Sequence, residues 1–245
     1  WAVKVVTDTS TSLLVNNSIK LLVDANSRIS LSNNDGGNTG NTIFGKSAWN
    51  HPGDNDASDY NTIVGELAMG TGTIDAASNN TGIGYKALTS LTTGDSNTAI
   101  GSNSGFTLST GIRNTFIGNS AGYTTVDVDN AVFIGYNAGS GDNITDAADG
   151  TIGIGVSALA ALTSGAANVA VGFESGKSIT TGTRNTAVGY ASMDGLDVAE
   201  DNVAVGWYAL GGASTSSNNQ RNVAVGVGSM SGTNAGAGQN VAVGY

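Results

Sequence analysis

The sequence predicts an all-β fold, a parallel β-roll or β-solenoid of about twelve coils with a dominant period of 17 residues. Three observations predict it. A five-residue motif (Asn, Thr or Val, a variable residue, Val or Ile, then Gly) occurs twelve times in the 245 residues. Its second and fourth positions are almost all β-branched, which is typical of strands. Its closing glycine recurs every 17 to 20 residues, at Gly45, Gly65, Gly84, Gly101, Gly118, Gly135, Gly155, Gly172, Gly189, Gly206, Gly226 and Gly244.

The β-branched columns predict one face of each strand. The second position is β-branched in all twelve copies, and the fourth in all but one, where Phe44 stands. Because side chains alternate along a strand, positions two and four share a face. We expect this apolar face to be buried, with each side chain contributing about 1.5–3 kcal/mol.

The opposite face is built from small residues. Position three is mostly Ala or Gly, and a further small residue follows three places after the closing glycine, as at Ala87, Ser104 and Ala121. Small residues in register let another backbone approach closely. We therefore expect identical chains to share this face, in a homotrimeric rod roughly 55 Å long.

Two further signatures complete the coil. Ten of the twelve copies begin with Asn, whose amide is expected to bond the local backbone and the Asn of the next coil. The segment Leu91-Thr92-Thr93-Gly94 recurs in several coils and predicts a second short strand that ends in a turn.

The chain divides into two regions. Residues 1–40 precede the repeats and predict an N-terminal β segment of two or three strands, with turns at 16–17 and 24–26, and a lead-in loop over 33–38. Residues 41–245 form the repeat domain, which we expect to be a fragment continuing beyond residue 245. Insertions at 51–59, 141–146, 214–219 and 232–238 are expected at a surface edge, where solenoids often bind partners.

Composition argues against several classes of function. The chain has 9 basic and 19 acidic residues, a net charge of −10, so a nucleic-acid partner is not expected. It has no cysteine, which excludes disulfides and thiolate chemistry. No apolar run has the roughly 18–20 residues of a membrane span.

The core of the repeat, as in Asn168 to Ser175, resembles the head repeat of YadA-type trimeric autotransporter adhesins, which are parallel β-roll trimers. The longer period, with Leu-Thr-Thr-Gly between cores, looks more like the repeats of bacteriophage tail fibres, particularly marine and cyanophage ones. The lead-in over 24–34 is also similar to segments that precede such repeats.

The resemblance implies a structural and adhesive fibre protein. It would form a homotrimeric, extracellular virion appendage that attaches to a glycan or protein of the host surface. A bacterial trimeric adhesin head is the alternative, although adhesin heads have shorter coils.

Three aromatic residues are the candidate ligand-binding residues. Phe173, Tyr190 and Trp207 follow the closing glycines of consecutive coils, so we expect their rings to stack one rung apart. An exposed ladder of this kind would contact the sugar rings of a host glycan. A structural alternative is that the ladder caps the roll or lines the contact between subunits.

Acidic loops are candidates for calcium, because carboxylates supply the oxygen ligands that Ca²⁺ prefers. Solvated turn carboxylates are the plainer interpretation, so no cofactor is predicted. The two loop sets are Asp54, Asp56 and Asp59, and Asp142, Asp146 and Asp149.

Two other classes are weaker alternatives. Ice-binding solenoids carry flat threonine faces, but here the Thr column alternates with Val, which favours burial. A polysaccharide depolymerase would need paired carboxylates, and the glutamates (Glu66, Glu174 and Glu200) belong to different coils. The single histidine, His51, has no Ser or Cys partner pattern, so we predict no enzymatic activity.

Three arginines precede a motif Asn and are expected to form surface ion pairs with acidic groups of a neighbouring coil or chain, such as Asp194 or Asp201. They are Arg113, Arg184 and Arg221.

Overall fold

Each repeat motif forms one strand of three residues, which corresponds to positions two to four. β-Branched residues favour the extended backbone. The closing glycine then ends the strand, with φ between 126° at Gly226 and 148° at Gly45, values that L-residues rarely adopt. The same chemistry therefore stops every strand at the same place in its coil.

The structure is a computed structural model of the 245-residue chain. It describes residues 3–6, 10–15, 18–23, 29–30, 40–49, 58–70, 74–212, 219–232 and 238–245. The repeat strands are β5 (Thr42–Phe44), β6 (Thr62–Val64), β7 (Thr81–Ile83), β8 (Thr98–Ile100), β9 (Thr115–Ile117), β10 (Val132–Ile134), β11 (Ile152–Ile154), β12 (Val169–Val171), β13 (Thr186–Val188), β14 (Val203–Val205), β15 (Val223–Val225) and β16 (Val241–Val243).

These strands form one parallel sheet of twelve, ordered consecutively from β5 to β16. Equivalent positions pair in register, as Val169 with Thr186 and Ala170 with Ala187. Each coil thus adds one rung to the ladder, and the predicted β-solenoid is confirmed. A 3₁₀ helix, Asp146–Ala148, lies in the long sixth coil, and the described residues contain no α-helix.

The N-terminal region forms a separate antiparallel sheet of four strands, so the prediction of two or three strands was too low. The strands are β1 (Val3–Val6), β2 (Ser10–Val15), β3 (Ser18–Val23) and β4 (Ile29–Ser30). The predicted turns at 16–17 and 24–26, and the lead-in loop over 33–38, lie outside the described residues.

The side chains that point into the coil and those that point out of it are the reverse of the prediction. Position three points inward and is buried, whereas positions two and four point outward. Ile100, Val188 and Val205, all at position four, are 37%, 36% and 37% exposed. The predicted burial of the β-branched face is therefore wrong for a single chain.

The small residues line the inside of the coil rather than a contact between chains. Ala99 and Ala170 at position three are buried, as are Ala87, Ser104 and Ala121 after the glycine. A short coil has a narrow interior, which only small side chains and a few larger ones can fill. The prediction that identical chains share the small-residue face is therefore wrong.

Large and small residues alternate inside so that the narrow interior stays filled. Where position three is Phe133, the residue six places later is Gly139, and a Cβ there would lie 2.4 Å from the Phe133 ring. Where position three is Gly153, the matching residue is Leu159. In these two coils a large and a small residue thus exchange places at two facing positions, which keeps the interior closely packed.

The Leu-Thr-Thr-Gly segment is a hydrogen-bonded bend, not a strand, so the predicted second strand per coil is wrong. The amides of three successive residues, Thr92, Thr93 and Gly94, all donate to the one carbonyl of Ser109, whereas the amides of a strand bond to different residues of the next strand. The segment still bonds to the next coil, with the Thr92 amide donating to the Ser109 carbonyl at 2.9 Å. Leu91 is buried in the interior.

The leading asparagines form the predicted ladder. The Oδ1 of Asn80 accepts from the backbone N–H of Asn97 at 2.9 Å, and the Nδ2 of Asn97 donates to the Gly111 carbonyl at 2.8 Å. The Oδ1 of Asn97 in turn accepts from both nitrogens of Asn114, each at 3.0 Å. Every polar atom of such a buried amide is satisfied, which burial requires.

The asparagine ladder is interrupted in the sixth and seventh coils, where Ala131 and Thr151 replace Asn. The Ala131 amide still donates to Asn114 Oδ1 at 2.8 Å, but alanine offers no acceptor to the next coil. This interruption separates what we call the N-terminal block, residues 41–130, from the C-terminal block, residues 131–245.

Candidate functional site

The outward side chains form a continuous surface along the solenoid, which we call the strand face. It consists of positions two and four of every strand together with the residue after the closing glycine, which is position six. In a single chain this surface is half-exposed, because the interior is filled by position three. Its composition differs between the two blocks.

In the N-terminal block the strand face mixes polar and apolar groups. Position two is threonine in all five coils, and position six is mostly polar or charged. Lys46 and Glu66 in this column are 3.8 Å apart and exposed. The position-six residues are Lys46, Glu66, Tyr85, Ser102 and Asn119.

In the C-terminal block the strand face is almost wholly apolar. Thr186 is its only polar residue at positions two and four, and position six carries no charge in any of the seven coils. Exposed apolar side chains therefore run without interruption along this block. The position-six residues are Tyr136, Val156, Phe173, Tyr190, Trp207, Val227 and Tyr245.

The predicted aromatic ladder is present in this block. The ring centroids of Phe173 and Tyr190 are 5.1 Å apart with an interplanar angle of 6°, and those of Tyr190 and Trp207 are 6.3 Å apart at 13°. The three side chains are 42%, 49% and 53% exposed. Their contact with a ligand stays a prediction.

The stacking limits what the ladder can bind. A sugar packs its C–H groups against the face of an aromatic ring, because that face carries the negative part of the ring's quadrupole. Both faces of Tyr190 are covered by its neighbours, and Tyr208 packs beside Trp207 at 5.5 Å. The ladder therefore presents mainly ring edges to the outside, which suits packing against another apolar surface.

A second aromatic cluster, which the sequence analysis did not identify, lies in the N-terminal block. The rings of Phe106 and Tyr123 stack at 5.0 Å. The Lys86 ammonium lies 5.7 Å from the Phe106 ring and 5.2 Å from the Tyr85 ring. Phe106 and Tyr123 both stand five residues after a closing glycine, and this shared register could have revealed the pair.

The acidic loop residues act as backbone acceptors between coils. The Oδ1 of Asp149 accepts from the Asp129 amide at 2.7 Å, and that of Asp127 accepts from the Asp146 amide at 2.9 Å. Burial raises the pKa of Asp149, and the carboxylates of Asp129, Asp146 and Asp127 raise it further.

No three acidic or histidine side chains lie close enough to hold a metal ion in the part of the chain that the structure describes. Asp54 and Asp56 of the first predicted calcium loop are outside it.

The predicted arginine pairs involve Asp201 rather than Asp194. The Nε of Arg184 lies 2.6 Å from Asp201, and that of Arg221 lies 3.8 Å from it. The Arg184 hydrogen bond lowers the pKa of Asp201. Arg113 instead donates to the Asn130 side chain at 2.7 Å.

The three glutamates that a depolymerase would need to pair lie apart, each beside a basic residue. Glu66 lies 3.8 Å from Lys46, Glu174 lies 2.9 Å from Lys177, and Glu200 lies 3.2 Å from Arg184. These pairs occupy separate coils. His51 lies outside the described residues.

Comparison with known proteins found no matching family model, no similar curated protein and no similar solved structure. Across the described ranges, no helix is both long enough and apolar enough to traverse a bilayer. The repeat solenoid and its strand face are therefore the basis for assigning a function.

Proposed function

We propose that this chain is a structural and adhesive fibre protein, the shaft or head of a phage tail fibre that takes part in attachment to a host surface. The observation that carries the proposal is the strand face. An outward apolar surface runs along the solenoid, and a single chain leaves it half-exposed. Surfaces of this kind on soluble proteins mark sites of association.

Stiffness follows from the stacking. Twelve rungs in register, the buried asparagine ladder and the interlocked interior give a rod of roughly 55 Å. Packing the strand faces of three copies together would cover the half-exposed residues and thicken the rod. The resulting homotrimer would lie outside the cell on a virion and would present its turns to a host glycan or protein.

The mass in solution tests the assembly. Light scattering should give three times the 24.3 kDa of one chain, and the trimer should persist after mild heating. A stable 24.3 kDa monomer would contradict the trimeric fibre.

Adhesion needs a separate measurement, since assembly alone does not imply attachment. A glycan array probed with the intact assembly should give selective binding. Tyr190→Ala tests whether the ladder takes part, with Tyr136→Ala as a control at the same position of another coil. Equal binding by both variants would place the receptor contact elsewhere.

Ice binding is a second candidate, because the threonines of the N-terminal block, which the sequence predicts to be buried, lie on the outward face. Thr62, Thr81, Thr98 and Thr115 stand in consecutive, hydrogen-bonded strands. Inhibition of ice recrystallisation by the wild type, and its loss in Thr98→Val, would favour this function over the fibre.

A further inference from the structure

The C-terminal block presents a larger continuous apolar surface than the N-terminal block. At about 4.8 Å per rung and 3.3 Å per residue, its strand face has a projected area of about 400 Å². The largest apolar patch on a typical soluble monomer is about 300–600 Å². Each partner in a stable interface buries roughly 800 Å², about twice this projected area, so a stable contact must also cover the polar residues beside the face.

Charge on this block lies beside the strand face rather than on it. Glu174 and Lys177 pair with each other at 2.9 Å next to the aromatic ladder. Arg184 and Asp201 pair in the turn that precedes a strand. Two copies of a chain with a net charge of −10 can therefore meet here without opposing like charges directly. An apolar centre with a polar rim is the usual anatomy of an interface.

The chemistry of the face favours a second copy over other occupants. A sugar would need open ring faces, and the ladder rings cover one another. An anionic membrane surface would need basic residues, and the strand face of this block contains none. The same apolar face on a second copy complements this face, because that contact needs neither open ring faces nor basic residues.

We propose that the strand face of the C-terminal block, residues 131–245, holds copies of this chain together, and that the face of the N-terminal block contributes little. This deepens the proposed function and rests on it. On its own coil Val205 lies between Val203 and Trp207, and its outward neighbours on adjacent coils are Val188, Tyr190, Val225 and Val227. At the equivalent position in the N-terminal block, Ile100 lies between Thr98 and Ser102 on its own coil. Its outward neighbours on adjacent coils are Ile83, Tyr85, Ile117 and Asn119, so three of its six neighbours are polar.

A matched pair of variants tests the asymmetry. Ile100 and Val205 occupy the same position of their coils and are each 37% exposed, so Ile100→Asp and Val205→Asp disturb the single chain similarly. We expect Val205→Asp to weaken association by about 100-fold or more, because it places an unpaired charge in a contact that excludes water. We expect Ile100→Asp to weaken it by less than about tenfold, because half of its outward neighbours are polar and the added charge stays near water.

Sedimentation velocity over a range of concentrations gives the association constant of each variant, and circular dichroism confirms that each variant is folded. If either aspartate prevents folding, Trp207→Ser and Ser102→Trp replace them. The first should weaken association, and the second should leave it unchanged or strengthen it. Equal effects of the two aspartates, or a larger effect of Ile100→Asp, would overturn the asymmetry while leaving assembly intact.

A wild type that stays monomeric would instead overturn the proposed assembly itself. Such a monomer could be tested with phosphatidylcholine vesicles. Co-sedimentation with the vesicles would assign the apolar face to a lipid surface rather than to a second copy.

Discussion

The N-terminal and C-terminal blocks have the same interior and different exteriors. Both stack three-residue strands in register, end them at glycine and satisfy a buried asparagine ladder. On the strand face, however, threonine and polar residues in the first block give way to valine and aromatic residues in the second. The interior is constrained by the geometry of stacking, whereas the exterior can vary from coil to coil. The difference between blocks is therefore where a function specific to this chain is encoded.

The largest effect is expected from a methyl group on a closing glycine, and it should be the same in both blocks. Gly172 has φ of +138°, and a Cβ there would lie 2.4 Å from the Gly189 carbonyl oxygen. Gly101 is equivalent, with φ of +140° and the same distance to the Gly118 oxygen. Gly172→Ala and Gly101→Ala should each cost more than about 4 kcal/mol of unfolding free energy. Urea unfolding measures this loss of free energy. If one of the two variants kept the stability of the wild type, the two blocks would not stack their coils in the same way.

The contact between the blocks is tested by Phe133→Ala. Its ring stacks on Phe116 at 5.6 Å, across the boundary between the fifth and sixth coils, which is where the two blocks meet. The cavity should cost about 3–5 kcal/mol, and unfolding should separate into two transitions that calorimetry can resolve. Adding Gly139→Leu to Phe133→Ala should restore part of the lost stability, because Leu159 occupies the equivalent site of the next coil with a φ of 53°, close to the 55° of Gly139. Gly139→Leu alone should destabilise, and a single unchanged transition in Phe133→Ala would show that the blocks are joined in another way.

A smaller effect, again equal in both blocks, is expected from the asparagine ladder. Asn97→Ala and Asn185→Ala each remove an acceptor for the next coil, at 3.0 Å from Asn114 N and 3.1 Å from Asn202 N. Each should cost about 1–3 kcal/mol, the penalty for buried polar groups left unpaired. Thermal unfolding measures the loss, with the outward residue Asn119→Ala as the control. Wild-type stability in either ladder variant would show that water replaces the amide.

The smallest effect is expected at two exposed arginines, Arg184 and Arg113, and it should depend on pH only for Arg184, whose partner is a carboxylate. Arg184 lowers the pKa of Asp201, so its stabilisation is complete above the ordinary value of 3.8 and is lost as the pH falls through the lower folded value. Arg184→Ala should therefore reduce the melting temperature slightly at pH 7, and the reduction should shrink as the pH is lowered below 3.8. Arg113→Ala removes a bond to an amide, Asn130, and its effect should not change over this range. The same pH dependence in both variants would exclude Asp201 as the cause.

Much of the fold could be predicted from the sequence, because a motif repeated at regular spacing places the same element at the same point of every coil. The strand positions, the in-register stacking, the asparagine ladder and the stacking of Phe173, Tyr190 and Trp207 all follow from a spacing near 17 residues. The second strand was predicted wrongly, since Leu91-Thr92-Thr93-Gly94 has the composition of a strand end but directs three successive amides to one carbonyl, that of Ser109. Left-handed conformations at non-glycine residues such as Leu88 also leave no clear signal in the sequence.

The sequence by itself determined which residues share a face, because side chains alternate along any extended strand. Only the tertiary structure decided which face points inward. Val169 and Val171 form the more hydrophobic face, and yet Ala170 is the buried residue. A coil of 17 residues closes around a narrow interior, already filled by side chains such as Leu159 and Leu162, and small residues fit there. The β-branched residues are thereby left outside, where they form the surface on which a partner can pack.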